Sequence, residues 1–287
     1  MERTTIAKEV EAEVNSMTTD RCIDIIRLSP MLRFFETGLS NEGVMPHSPT
    51  VHNVLESFSL LWSPRPGLVD QVLSSLTLPR LHTLNLDLVR DHDKNIIEDF
   101  LHRSAAPITS MELQFEQVRN ERDLRVFQAI AALTPSLSHL RILYDDGPVD
   151  DGISCFNNSI FKYLVDSGKP KADNPSYLPP LPQLKSLTYS AARVVTKVWI
   201  PLELLPGLFP VSTSASGVPS LRPLKSLFTP GSFHPQKGYL RSLIPLRQAG
   251  IDFGKERNED IDRIAARTVG VDNEDHMSSG RSSRPLS

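Results

Sequence analysis

Four groups of residues have types and spacing that chemistry could use. Asp91-His92-Asp93 with His102 comes nearest to a divalent-metal set, because imidazole nitrogens and carboxylate oxygens both ligate zinc. No second cluster has zinc spacing, and the simpler reading is a polar cap beside a solvated helix face. Asp145-Asp146 and Asp150-Asp151 crowd four carboxylates around Gly147-Pro148. Their order does not match an EF-hand loop, so an acidic surface turn accounts for them. Ser167-Gly168-Lys169 lacks the upstream glycines of a phosphate loop, and neither G-x-G-x-x-G nor G-x-S-x-G occurs. Cys22 falls on an amphipathic stretch, the setting of a buried thiol rather than a nucleophile. The eight histidines are scattered. The expectation is therefore a protein that is not an enzyme, with no catalytic, cofactor-binding or metal residues.

The elements that would position any site are more regular. Leu81, Leu84, Leu86 and Leu88 place leucines on one face of a short strand, with Thr83, Asn85 and Asp87 on the other. Upstream, Leu68, Val69, Val72, Leu73 and Leu76 form a helical stripe, and Leu78-Pro79-Arg80 makes the turn between. Helix, turn and L-x-x-L-x-L strand form one unit, and the unit recurs. Its central residues are Phe35, Phe58, Leu84, Met111, Leu140 and Leu187. The first four steps are 23, 26, 27 and 29 residues, near the roughly 20–29-residue period of leucine-rich repeats. The fifth, 47 residues, fits one repeat carrying an insertion. A poorer seventh copy lies near Leu221, Leu224 and Leu227. Helices are expected at Thr5–Val14, Cys22–Leu28, Asp93–Arg103, Glu121–Leu133, Ser159–Asp166 and Gln236–Gln248. Gly250 caps the last, and Ile251-Asp252-Phe253 adds a final strand.

One unit cannot bury its own apolar face, so copies must stack. Strands joined through helices run parallel, and helices about 10 Å wide against strands about 4.8 Å apart bend the stack. The predicted fold class is α/β: an irregular leucine-rich-repeat solenoid, strands concave and helices convex. The predicted division is a polar segment over 1–19, the solenoid over 20–253 with insertions near 145–182 and 203–220, and a disordered tail over 254–287 with a short helix near Asp260–Arg267. The non-leucine strand positions form the exposed face. The candidate partner-binding residues there are Ser59, Asn85, Asp87, Glu112, Gln114, His139, Arg141 and Thr188.

Composition narrows the partner. The 287 residues carry net charge -3 and 7% aromatics, without a Lys/Arg-rich block. Nucleic acid and anionic membrane are excluded as expected partners. Apolar runs are too short to span a bilayer. The start is polar and mixed in charge, unlike a secretory signal, and the two cysteines, Cys22 and Cys155, lie far apart. An intracellular setting, cytoplasmic or nuclear, is expected.

Ile-Ile-Arg-Leu-Ser-Pro-Met-Leu-Arg-Phe-Phe, Leu-Thr-Leu-Pro-Arg-Leu-His-Thr-Leu-Asn-Leu and Phe100-Leu101-His102-Arg103-Ser104-Ala105-Ala106-Pro107-Ile108-Thr109-Ser110-Met111 together resemble the fungal family of F-box/leucine-rich-repeat-like proteins, over roughly Asp20 to Phe253. The resemblance implies repeats that select proteins for ubiquitin transfer, downstream of an F-box that binds a Skp-type adaptor and, through it, a cullin. The Leu-Pro-x-Glu opening of an F-box is not found before the repeats. Where standard repeats carry Asn or Cys after the last leucine, this chain has Ser63, Val89, Glu116, Asp145 and Ala192. A stand-alone repeat scaffold or a truncated fragment therefore stays open beside the ligase role. An enzyme with its site in the 145–182 insertion is the reading from another class.

Overall fold

The computed structural model describes residues 16–44, 49–61, 63, 65–88, 92–116, 121–145, 158–170, 174, 176–191, 204–209, 221–228, 237–255 and 257–266. In chain order the elements are β1 (Met17–Thr18), α1 (Thr19–Leu28), β2 (Phe34–Thr37), β3 (Leu39–Asn41), β4 (Thr50–Val51), β5 (Ser57–Leu60), α2 (Leu68–Ser74), β6 (Leu76–Thr77), β7 (Thr83–Leu88), α3 (Lys94–Ser104), β8 (Ser110–Glu116), α4 (Glu121–Leu133), β9 (His139–Asp145), α5 (Asn158–Gly168), β10 (Ser186–Ala191), a 3-10 turn (Leu205–Leu208), β11 (Ser226–Phe228) and α6 (Lys237–Gln248). The fold is mixed α/β around a parallel sheet.

Seven strands make that sheet, β2-β5-β7-β8-β9-β10-β11, each beside its sequence neighbour in the set. All six pairings are parallel. The register aligns Phe35, Phe58, Leu84, Met111, Leu140, Leu187 and Leu227 in one row across the sheet. All seven are buried, and a second buried row runs Thr37, Leu60, Leu86, Leu113, Ile142, Tyr189. The helices pack in the same sequence, α1 on α2, α2 on α3, α3 on α4 and α4 on α5.

Each strand starts from its neighbour in the same way. The carbonyls of Arg33, Glu56, His82, Thr109, Ser138 and Lys185 each accept two consecutive N–H groups from the next strand, at 2.8–3.2 Å. The entry turns are also alike. The amides of Leu32, Leu81, Leu137 and Leu184 donate to the carbonyls of Ser29, Leu78, Thr134 and Leu181, three residues back. Pro30, Pro79, Pro135 and Pro182 occupy the second turn position, where a fixed φ is already correct. The second copy lacks that proline. There His52, buried, accepts the Leu55 amide on Nδ1 (3.0 Å) and reaches the Ser29 carbonyl with Nε2 (3.0 Å). Those partners select the tautomer protonated on Nε2.

The helix ends explain their limits. The Asp93 carboxylate accepts the Asn95 amide at 2.9 Å and caps α3. Ala105 ends it in the left-handed region at φ 44. Arg103 donates to the Leu73 carbonyl (2.9 Å) at the end of α2. At the end of α6, Gly250 (φ +88) bonds to Arg247 and Ile251 to Leu246, the Schellman pattern that satisfies the last carbonyls.

Several boundaries differ from the sequence reading. Of the three leucines near the seventh copy, Leu227 is the central one, and Leu221 is 45% exposed. L-x-x-L fits both 221/224 and 224/227, and pairing with Leu187 chooses the second. Leu76 leaves the α2 stripe for β6. Met17 pairs with Leu39 and Thr19 is fully buried, so the segment assigned to 1–19 contributes packed residues. Within the tail assigned as disordered over 254–287, the short helix expected near Asp260–Arg267 spans 257–266 and packs on the core, with Ile261 fully buried. The expected final strand is a parallel bridge from Ser226 to Asp252. Within the 145–182 insertion, α5 buries Ile160, Phe161 and Leu164, with Phe161 edge-on to Tyr189 of β10 at 4.9 Å. Within 203–220, Leu205, Leu208 and Phe209 are core. The helix expected at Thr5–Val14 lies outside the described residues.

Candidate partner-binding face

Side chains alternate along a strand, so the residues between the buried rows face the opposite side of the sheet. The register orders them into rows. The first is Phe34, Ser57, Thr83, Ser110, His139, Ser186 and Ser226. The second is Glu36, Ser59, Asn85, Glu112, Arg141, Thr188 and Phe228. The third holds Asp87, Gln114, Leu143 and Ser190. All eight residues picked from the sequence fall on this one face.

They are not equally accessible. Glu112 and Arg141 sit side by side and form an ion pair at 3.1 Å. His139 is exposed, with Nδ1 2.8 Å from the Ser138 hydroxyl. Asn85, Gln114 and Thr188 are half-buried. Two residues are corrected. Ser59 is buried, its hydroxyl accepting the Asn85 amide at 2.9 Å. Asp87 is buried, with Oδ2 accepting the Ser63 amide at 3.1 Å. A buried carboxylate finds backbone donors, and this one anchors the chain leaving β5 rather than facing a partner. Leu143 and Ser190 are buried as well, so the accessible strip is the first two rows.

Other residues were missed. Glu36 and Phe228 each follow a central residue and so sit on the face, a signal available once the seventh register is right. Lys185 and Lys225 are exposed at the head of β10 and β11. Arg33 and Glu56 occupy the matching places at the other end, bonded at 2.6–3.0 Å. Arg33 hydrogen bonding holds the Glu56 carboxyl below its ordinary range and raises Arg33 in turn.

The chemical groups lie partly among the described residues. His92 Nδ1 lies 2.9 Å from Asp70 Oδ1, and the Asp93 amide donates to Asp70 Oδ2 at 2.9 Å. That places His92 under the head of α3 while Asp93 caps it. His102 is exposed on the helix. Asp91, Asp146, Asp150, Asp151 and Cys155 lie outside the described residues. Among the described residues, no three His, Cys, Asp or Glu side chains come together as a metal site. Lys169 pairs with Asp166 at 2.9 Å. Cys22 is fully buried, and burial pushes its thiol up. Among the described residues, no helix is long and apolar enough to cross a membrane.

The largest fully buried side chain is Arg222, which no sequence pattern marked. Its guanidinium donates to the carbonyls of Pro180 (2.9 Å) and Leu164 and to the Ser167 hydroxyl (2.7 Å). Burial brings its pKa down to about 10, countered by Tyr163 and Tyr177, so it stays a cation at neutral pH. It ties the end of α5 and the Pro-rich turn to the approach of β11.

No family model, curated protein or solved structure matches the chain.

Proposed function

We propose that the chain is a protein–protein interaction module. In this reading the parallel sheet is the concave face of an irregular leucine-rich-repeat solenoid, and its two accessible rows read a protein partner. The observation that carries the reading is the recurrence of one step, a carbonyl accepting two amides, from β2 to β11 with the apolar rows aligned. Such a step sets polar side chains in straight rows at about 4.8 Å intervals, a surface without its own core to fill. The proposed setting is intracellular. By its resemblance to F-box receptors, the proposed partners are a selected protein target and, where a diverged F-box is present, a Skp-type adaptor with its cullin.

The test is capture by tagged chain from lysate, with mass spectrometry, run beside the exchange Glu112→Arg with Arg141→Glu. The exchange keeps the ion pair but inverts its field, so the chain stays folded. Loss of specific captured proteins in the exchange supports the strand face as the binding surface. Equal capture by both chains overturns it. Adaptor and cullin in the eluate mark a ligase receptor, and other proteins alone mark a stand-alone scaffold.

A further inference from the structure

We infer that the β10–β11 end of the strand face binds an extended, Asp/Glu-rich segment of a partner protein, with Lys185 and Lys225 as its anchors; this rests on the interaction-face reading above. The Lys225 amide donates to the Lys185 carbonyl at 2.8 Å, so these residues occupy equivalent places on adjacent strands. Equivalent residues of parallel neighbours project from the same side, with backbones about 4.8 Å apart. Both side chains are exposed. Like charges side by side are unfavourable in a sheet. At the opposite end of the same row the chain resolves the equivalent neighbours by opposite charge, Arg33 with Glu56. Among the described residues, neither Lys185 nor Lys225 has an ion-pair partner.

The groups around the pair favour an anion. The strand-face rows begin one residue after the lysines, with His139, Ser186 and Ser226 in the first and Arg141 and Thr188 in the second. Among the described residues, Glu112 is paired with Arg141, and Asp252, whose amide donates to the Lys225 carbonyl at 2.9 Å, has Oδ1 engaged by the Gly254 amide (2.9 Å) and Asn258 Nδ2 (2.7 Å). Neither forms an ion pair with the lysines. An extended peptide crossing the strands presents alternate side chains every 6–7 Å or so, within reach of two flexible lysines rooted about 4.8 Å apart. The whole chain carries net charge -3, so nonspecific attraction opposes such a ligand and only a local site retains it.

The probe is a fluorescein-labelled peptide of alternating Glu and Ser, titrated with the full chain by anisotropy at low and physiological ionic strength. The variants are Lys185→Glu with Lys225→Glu, and a helix-side control, Lys94→Glu with Lys162→Glu, of the same charge change. The expected result is saturable one-to-one binding, weakened by salt, at least about tenfold weaker in the strand-face variant and unchanged in the control. Absence of binding, equal loss in both variants, or preference for the matching Lys/Ser peptide overturns the inference. Partner capture that is lost on the Glu112/Arg141 exchange but kept in the Lys185/Lys225 variant overturns the acidic-segment assignment alone. Loss of neither overturns both readings.

Discussion

Replacing Arg222 by methionine tests whether a buried cation without a carboxylate stabilises this fold. The two contributions oppose each other. A pKa lowered from the ordinary guanidinium range to about 10 corresponds to about 3 kcal/mol of burial cost for the charge. Against it stand donations to Pro180 and Leu164 carbonyls and to Ser167, each worth about 1.5–3 kcal/mol when the donor is charged. The Leu164 carbonyl belongs to the last turn of α5, where the helix dipole favours a cation. Methionine fills a similar volume and removes the burial cost, but it takes the charged donor away from two carbonyls and from a hydroxyl that keeps its bond to the Tyr163 carbonyl. Losing three charged donations outweighs that relief, so the hydrogen bonds win and Arg222→Met is expected to destabilise by about 3 kcal/mol. That is a large share of the roughly 5–15 kcal/mol holding a domain together. Arg222→Lys, a point charge without the planar fork, should fall between. Urea unfolding followed by circular dichroism measures it, with the slope checked so that separate opening of α5 is not mistaken for a global change. An Arg222→Met chain as stable as the parent, or more so, refutes the reasoning and makes the cation a burden, as some buried ion pairs are.

Three further predictions are local. Ala105 holds φ 44 at the end of α3, a region that penalises a Cβ, so Ala105→Gly should raise stability by about 0.5–1 kcal/mol in urea unfolding. Glu56 has its folded pKa depressed by Arg33, so the coupling is present above the ordinary carboxylate range and is lost as pH falls through the folded pKa. A double-mutant cycle of Arg33→Ala and Glu56→Ala should show coupling near pH 7 and none near pH 2; equal coupling at both sinks the assignment. Cys22 is buried with its thiol pushed up, so in a Cys155→Ser chain a thiol reagent should label it only as denaturant unfolds the protein. Rapid labelling in native buffer contradicts that packing.

The period and the face were legible from residues alone because leucine spacing reports both. Phe35, Phe58, Leu84, Met111, Leu140 and Leu187, separated by 23 to 47 residues, occupy one aligned row. Alternation says which side a residue takes, not what lies above it. Ser59 and Asp87 were therefore placed on the right face and given the wrong exposure. Arg222 was invisible for a related reason. Its acceptors come from residues 42 to 58 positions away, and a lone arginine between Leu221 and Pro223 carries no sign of them. The lysine pair was hidden by its separation in sequence, since Lys185 and Lys225 become neighbours only when the seventh register is fixed on Leu227.

The unequal steps still give equal pairings, and the reason bears on function. Loop-closure entropy rises only logarithmically, so stretching a step from 23 to 47 residues adds about 0.6 kcal/mol. Burying Ile160, Phe161 and Leu164 of α5 offsets that several times over, at about 1.5–3 kcal/mol per side chain. The strand beyond the insertion then enters through the same turn, Leu184 back to Leu181, and the same double acceptor at Ser138. Length is absorbed on the connecting side while the strand rows keep their spacing. A fold built this way can change the connections freely and still present one uninterrupted face, as the proposed interaction surface would require.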